Sequence, residues 1–238
     1  MKIALIGYGK MGKAIETIAL QRGHIITLKI SSTNLHEFNT ANLTNCDVAV
    51  EFTNPHNAYT NVTKCLAANL PTVCGSTGWA NQMAAANTIC LANNTALLIT
   101  SNFSIGVNVF FELNKKLAQL MNHKNEYQIA IEEIHHTQKK DAPSGTAITL
   151  AEQIIQENNL KTNWTINAEP NANEIGIAST RQDPAPGTHT INYQSTIDTI
   201  SITHTAHNRT GFALGAVLAA EYVHNKKGIF TMKDVLEL

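Results

Sequence analysis

Short apolar runs alternate with helical stretches through the first hundred residues. Lys2–Gly7 is apolar and ends in glycine, and Ile25–Ile30, Asp47–Phe52, Thr72–Gly75 and Ala96–Thr100 are four further apolar runs. Between them Met11–Arg22 places Ile15, Ile18 and Ala19 on one side, a Pro55-led stretch reaches Asn69, and Asn81–Ala92 reads as helical. Strands alternating with helices predict a parallel, doubly wound sheet. After Thr100 the pattern changes. Gly106–Met121 spaces Phe110, Leu113, Leu117 and Leu120 as a helix does, Tyr127–Ile134 reads as a strand, and Ser144–Glu157 reads as a helix. Ile175–Ser179, Thr188–Gln194 and Thr196–Ala206 follow as three β-rich runs, with turn chemistry at Asp183-Pro184-Ala185-Pro186-Gly187. They predict a second, α+β domain on a mostly antiparallel sheet. A helix of small residues from Gly211 to Val223 closes the pattern.

Composition narrows the classes. The 238 residues carry 17 Lys+Arg against 18 Asp+Glu, a net charge of −1, which argues against a basic nucleic-acid domain or a polybasic membrane binder. At 43% hydrophobic the chain is not disordered. No run is apolar enough to span a membrane, and the N-terminal apolar stretch is too short for a signal peptide. Cys46, Cys65, Cys74 and Cys90 are irregularly spaced, as suits a reducing cytoplasm, and no metal site is expected.

Two segments carry chemistry. Gly7-Tyr8-Gly9-Lys10-Met11-Gly12 is G-x-G-x-x-G between the first strand and the first helix. Glycines there give the tight turn, let backbone approach a pyrophosphate and bring helix and strand together. The helix start supplies N–H groups to the phosphates. The segment after the second strand, Leu28 to Asn34, has no acidic residue to select a free ribose 2′-hydroxyl. Lys29, Ser31 and Lys10 would tolerate or attract a 2′-phosphate, so NADPH is expected to bind at least as well as NADH.

The second segment runs from Glu132 through His135-His136-Thr137-Gln138-Lys139-Lys140-Asp141-Ala142-Pro143-Ser144-Gly145-Thr146. Four residues between His135 and Lys140 can carry positive charge. Period two puts His135 and His136 on opposite faces if the strand persists. Ser144 stands where an N-cap belongs, with Gly145 and Thr146 in the first helical turn. A helix end contributes roughly 0.3–1 kcal/mol and a charge-assisted hydrogen bond about 1.5–3, whereas micromolar binding needs about 8. Several Lys and His bonds together with the helix end could therefore hold a carboxylate-bearing ligand.

The segment His135–Ala147 resembles the signature of the dihydrodipicolinate reductase family. The resemblance extends to Gly7–Gly12, Gly75-Ser76-Thr77-Gly78, Ser101–Asn108, Ile175-Gly176-Ile177 and Ser201–His204, nearly the whole chain. It implies a Rossmann dinucleotide-binding domain over 1–104 and 210–238, and a substrate-binding and oligomerisation domain over 105–209. It implies a cytoplasmic homotetramer that reduces a small cyclic dicarboxylate with NADH or NADPH, on the diaminopimelate route to lysine. Hydride would reach C4 of the ring when the two domains close. By this resemblance Gly7, Gly9, Lys10, Met11, Gly12, Lys29, Ser31 and Phe52 bind cofactor, Gly75, Ser76 and Thr77 lie near the nicotinamide, and Ser101, Asn102 and Phe103 cover the cofactor. His136, Lys139, Ser144, Gly145 and Thr146 would hold the substrate carboxylates. His135 is the expected proton donor, since the unperturbed imidazole pKa of about 6.5 suits acid work near neutrality, with its protonation state open, and Lys139 is the charge stabiliser. One loop departs from the family pattern: Asp183 stands for a glycine and Thr188 for a glutamate. Two rival readings stay open. A nucleotide sensor without turnover explains the glycine turn but not the His-Lys cluster. A related amino-acid dehydrogenase shares the build, although a semialdehyde dehydrogenase would want a nucleophilic Cys motif.

Overall fold

Short apolar runs become the strands of a parallel sheet, buried at its centre and partly exposed at its Ile25–Ile30 edge. They are β1 (Lys2–Ile6), β2 (Ile25–Ile30), β3 (Val48–Glu51), β4 (Thr72–Cys74) and β5 (Ala96–Ile99). The structure, a computed structural model, describes residues 1–208 and 210–238. β3 and β4 have no exposed position, as expected of parallel strands covered on both faces. Helices α1 (Lys10–Gln21), α2 (Thr40–Leu43), α3 (Pro55–Ala67) and α4 (Met83–Ala92) supply the crossovers. α3 starts where Asn54 accepts N–H bonds from His56 and Asn57 and Pro55 takes the first helical position. The short helix α2 has its own cap, Asn39, whose side chain accepts from Asn42 N–H, but four residues leave no period to read.

The later residues build a second sheet. α5 (Ile105–Met121) leads into β6 (Gln128–His135), α6 (Gly145–Glu157) and strands β7 (Asn163–Thr165), β8 (Glu174–Arg181), β9 (Gly187–Gln194) and β10 (Thr199–Ala206). The strand order is β10-β9-β6-β8-β7. β9 and β10 form the expected hairpin, and β9 also runs antiparallel to β6. β8 runs parallel to β6 and to β7, so the sheet is mixed about its central strand. β8 and β9 are consecutive in sequence, yet β6 lies between them. β6 alternates strictly: Ile129, Ile131, Glu133 and His135 are buried on one face. Ile129 and Ile131 join a core with Leu150 and Ile154 of α6, Ile175, Ile191 and Tyr193.

The C-terminal residues return to the first sheet. α7 (Thr210–Val223) is followed by β11 (Gly228–Phe230) and α8 (Met232–Leu236). β11 pairs parallel with β5 and extends the order to β11-β5-β4-β3-β1-β2. α7 buries Ala213, Ala216, Val217, Ala219, Ala220 and Val223 in one core with Ile3, Val50 and Leu98. α8 carries a capping box in which Thr231 and Asp234 satisfy each other's backbone. Contacts divide the chain into two compact units: Met1–Ile105 with Thr210–Leu238, and the described residues from Gly106 to Asn208. Position 209, the expected limit of the second domain, lies outside the described residues. Among the described residues no helix is long and apolar enough to cross a membrane.

Ile131 is fully buried at the centre of the second core. Ile131→Ala should lower stability by about 2–5 kcal/mol, read as a drop in the urea midpoint, and a loss below about 1 kcal/mol would mean that the site collapses around the smaller residue.

Candidate active site

The first unit carries a cleft at the glycine turn. Gly7 has φ +100°, and a side chain there would meet the Phe52 carbonyl oxygen at 2.2 Å, so only glycine fits. The turn is held by Gly7 and Tyr8 N–H bonds to the Ile30 carbonyl at 2.9 and 2.8 Å. No side chain caps α1, and its first intrahelical bond runs from Lys13 N–H to the Gly9 carbonyl. The N–H groups of Lys10, Met11 and Gly12 precede that bond and belong to the anion-binding end of the helix. A Cβ at Gly9 would meet nothing within 4 Å, which leaves room for a phosphate. The adjoining cavity of about 490 Å³ is lined by Gly7, Gly9, Ser31, Ser32 and Phe52, among others. Size, glycine turn and bare helix end fit a dinucleotide. Its polar rim, Thr53, Asn54, Asn57 and Asn61, was not anticipated from sequence, although the Asn54-Pro55 helix start marked the place.

Lys29 is not a free cation. Its ammonium lies 2.6 Å from Glu16 of α1, which also accepts a short hydrogen bond from the Tyr8 hydroxyl. The Glu16 bond raises the Lys29 pKa, and Lys29 holds the Glu16 carboxyl low. A 2′-phosphate would have to compete with Glu16 for this charge. Ser31 is engaged too, its N–H donating to Asn34 Oδ1 at 2.8 Å. Beyond β4, Ser76 is buried and its Oγ accepts Thr53 N–H at 2.9 Å, whereas Thr77 is exposed and Gly75 half-buried. Phe103 is the residue expected to cover the cofactor. It is 2% exposed in the first core, with its ring 5.4 Å from that of Phe52, so Phe52 lines the cleft and Phe103 backs it. Asn102 is buried and accepts Ser104 N–H at 2.9 Å, while Ser101 is exposed. Cys74 is a buried thiol that donates to Glu51 at 3.1 Å. Burial and the Glu51 charge push its pKa up, the reverse of an activated nucleophile.

The second unit gathers the His-Lys segment. β6 does persist to His135, which is buried, and His136 is half-buried. Ser144 caps α6 by accepting Ala147 N–H at 3.2 Å, and a Cβ at Gly145 would meet open space. Thr146 follows in the first turn. Lys139 is paired with Asp141 at 2.7–2.8 Å, so a substrate carboxylate would replace that partner. Lys140 is exposed. The departing loop has a defined role: Asp183 accepts Thr137 N–H at 3.2 Å and its hydroxyl at 2.6 Å. Thr188 donates its hydroxyl to that of Thr205 at 3.3 Å.

The centre of this group is a residue the motif did not single out. Glu133 is fully buried. Both its oxygens accept Ser144 N–H, at 3.0 and 3.1 Å, and Arg181 donates at 3.2 Å. His135 Nδ1 lies 3.6 Å and His189 Nε2 3.7 Å from the same carboxylate. His189 Nε2 also shares a hydrogen bond with Ser144 Oγ at 3.1 Å. Burial alone would raise the Glu133 pKa, but the nearby His189 ring, the Ser144 hydrogen bonds and Ser179 hold it well below the usual carboxylate range. His135 goes against expectation. Burial, only partly opposed by Glu133, pushes its pKa down to about 4, with His189, Lys139 and Arg181 adding to the fall. An imidazole near 6.5 is an exposed one, and His135 is 7% exposed. Glu133, His135 and His189 bring ligand atoms within 4.8 Å of one another, as a divalent metal would require, yet Arg181 already neutralises the carboxylate.

The register shows why sequence spacing missed this cluster. Pairing of β6 with β9 sets His189 opposite Glu133, and pairing of β6 with β8 sets Arg181 opposite His135. Gly187, φ +156°, leaves space beside the ring, since a Cβ there would lie 3.1 Å from His135 Nε2. His204, read from sequence as a surface or core histidine, is half-buried beside Phe110 at 6.0 Å between rings.

The chain matches the family described as "Dihydrodipicolinate reductase, N-terminus" over residues 1–103, and its C-terminal counterpart over residues 106–236. It is 51% identical over 237 residues to a 4-hydroxy-tetrahydrodipicolinate reductase of Christiangramia forsetii, covering 99% of this chain and 98% of that one. A protein of the same name from Methanoregula boonei is 36% identical over 81% of this chain and 75% of its own. Among solved structures, a dipicolinate-bound dihydrodipicolinate reductase from Paenisporosarcina sp. TG-14 matches with TM-score 0.77 at 22% identity, covering 98% of each chain.

The buried pair predicts acid sensitivity. Unfolded, His135 takes a proton near 6.5, and folded only near 4, so below pH 6.5 the unfolded chain binds more protons. Stability is therefore complete above pH 6.5 and falls by roughly 3 kcal/mol as pH drops to 4. Glu133, held low, adds a loss below its unfolded value of about 4.3. Urea midpoints from pH 7 to pH 4 should show this slope, and His135→Gln should remove most of the part above pH 4.5; an equal slope in both proteins would contradict it.

Proposed function

The chain belongs to the dihydrodipicolinate reductase family, and from that premise we propose that it catalyses the NAD(P)H-dependent reduction of 4-hydroxy-tetrahydrodipicolinate to tetrahydrodipicolinate, in the diaminopimelate route to lysine. The observation that carries the reading is the pairing, in one chain, of a glycine-turn dinucleotide cleft with a buried Glu-His-His cluster at the cationic start of α6. The mechanism has a division of labour. The cleft of residues 1–104 and 210–238 binds and orients the dinucleotide, which supplies the hydride for C4 of the ring. Residues 105–209 bind the dicarboxylate. His136, Lys139, Ser144, Gly145 and Thr146 hold its carboxylates, with Lys139 leaving Asp141 to do so.

Negative charge then develops toward the ring nitrogen, where the Lys139 cation stabilises it and His135 supplies the proton. The low pKa of His135 sharpens this assignment. In the free protein the ring is neutral at pH 7, and two incoming carboxylates favour its protonated form. Once loaded, a desolvated imidazolium gives its proton up readily. The inert, buried Cys74 favours this reading over a dehydrogenase that uses a thiol. We place the enzyme in the cytoplasm as a homotetramer, assembled through residues 105–209. NADPH binds at least as well as NADH, because no acid stands between Leu28 and Asn34 and Lys29 offers a cation, although its pairing with Glu16 moderates the preference.

The reading is tested by following nicotinamide absorbance with the cyclic substrate and each cofactor. Lys139→Ala should lower kcat about a hundredfold while leaving the NADPH Kd nearly unchanged, and a kcat within about threefold of wild type would reassign Lys139. Direct titration should give an NADPH Kd no weaker than that for NADH; a preference for NADH of about tenfold would overturn the cofactor assignment.

A further inference from the structure

We propose that Glu133 is the positioning residue of the reduction: its ionised carboxylate fixes His135 as the Nδ1–H tautomer, directs Nε2 to the substrate, and joins that ring to the Ser144 cap so that proton donor and carboxylate cradle move as one piece. The proposal rests on the function above and adds to it a residue that never touches substrate.

Three features lead to it. The first is orientation. His135 Nδ1 is buried, has no hydrogen-bond partner within 3.5 Å, and sits 3.6 Å from a Glu133 oxygen. A carboxylate only accepts, so the nearest proton belongs on Nδ1. Nε2 then holds the lone pair in the neutral ring and the transferable proton in the charged one. This is how a buried carboxylate orients an imidazole without taking its proton. The second is linkage. The same carboxylate takes the Ser144 N–H twice, and Ser144 both caps α6 and bonds His189. A shift of the Glu133 oxygens therefore displaces the ring and the start of α6 together.

The third is charge balance. Among the described residues the largest charge effects on His135 come from Glu133, His189, Lys139 and Arg181, with Asp141 beyond them on Lys139. Of the four, Glu133 is the anion, and it favours the charged, proton-loaded ring. Arg181 spans Glu133 at 3.2 Å and the Asp141 carbonyl at 2.6 Å, which keeps the carboxylate ionised without leaving a bare negative charge beneath the substrate's own. A divalent metal on Glu133, His135 and His189 would use the same atoms and would displace Arg181, and the standing Arg181 contacts favour the positioning role.

The experiment combines nitrogen-15 histidine NMR of the wild-type protein with kinetics of Glu133→Gln, which keeps the shape and removes the charge. Wild-type His135 should show the Nδ1–H tautomer; an Nε2–H tautomer overturns the proposal without any variant. In Glu133→Gln, kcat should fall about thirtyfold or more and the basic limb of its pH profile should move to lower pH, with NADPH Kd within about twofold of wild type. Loss of melting temperature with an unchanged kcat profile and tautomer would reduce Glu133 to a structural role and overturn the proposal. Should the variant fail to fold, the wild-type tautomer decides. Stoichiometric zinc binding by the wild type, lost in Glu133→Gln, would also overturn it. Wild-type turnover in the same assay separates these outcomes from failure of the functional reading, since a wild type that does not reduce the substrate fails before Glu133 is at issue.

Discussion

A carboxylate with no exposed surface has to be compensated where it stands, and in the second unit the polar groups are arranged around that requirement. Taking an ion out of water costs several kcal/mol, and removing one partner from such a site costs roughly 3–5. Glu133 meets the cost with the Ser144 N–H, the Arg181 guanidinium and two histidines. Each of these has a second duty. Ser144 begins a helix, Arg181 holds the turn at Asp141, and His189 ties β9 to that helix. Stability and chemistry draw on the same hydrogen bonds, so the site cannot loosen without the unit losing more than a contact.

The first unit answers to a different constraint, the approach of backbone to backbone. Its glycine turn, its bare helix start and the small residues of α7 all exist to remove side-chain bulk. What it offers a ligand is mostly main-chain N–H and a cavity wall. What the second unit offers is side-chain charge. The division suits a reaction in which a large, flexible dinucleotide must be oriented and a small, highly charged ring must be neutralised.

Much of this was legible in sequence, and the gaps have physical causes. Strands β1 to β6 were read to within a residue or two, because a period of two and continuous apolar runs report burial directly. β7 and β11 were missed because three residues hold no period and, unlike those of β4, theirs form no buried apolar run. α8 announced itself only through Thr231 and Asp234, a capping pair that was overlooked. In the site, His135, Lys139 and Ser144 came from a contiguous motif. Glu133 is two residues from His135 and shares its face by period two, yet nothing in the pattern says that a charge occupies a buried position there. Arg181 and His189 arrive through strand register, which depends on β6 lying between β8 and β9. The protonation state of His135 was open in the sequence for the same reason, since burial is a property of the sheet and not of the motif.

The return of the C-terminus to the first sheet has a bearing on how the protein is made. Of the residues in the first core, Ala213, Ala216, Val217, Ala219, Ala220, Val223 and Met232 follow position 210. β5 also waits for its outer neighbour, β11. On the ribosome the N-terminal hundred residues emerge with an open flank where α7 will pack, and the second unit, whose core draws only on its own contiguous stretch, can close before them. The unit that starts the chain is thus the last whose residues are all synthesised. A stop codon falling after β10 and before α7 would leave the nucleotide cleft without its foundation while sparing the cluster around Glu133.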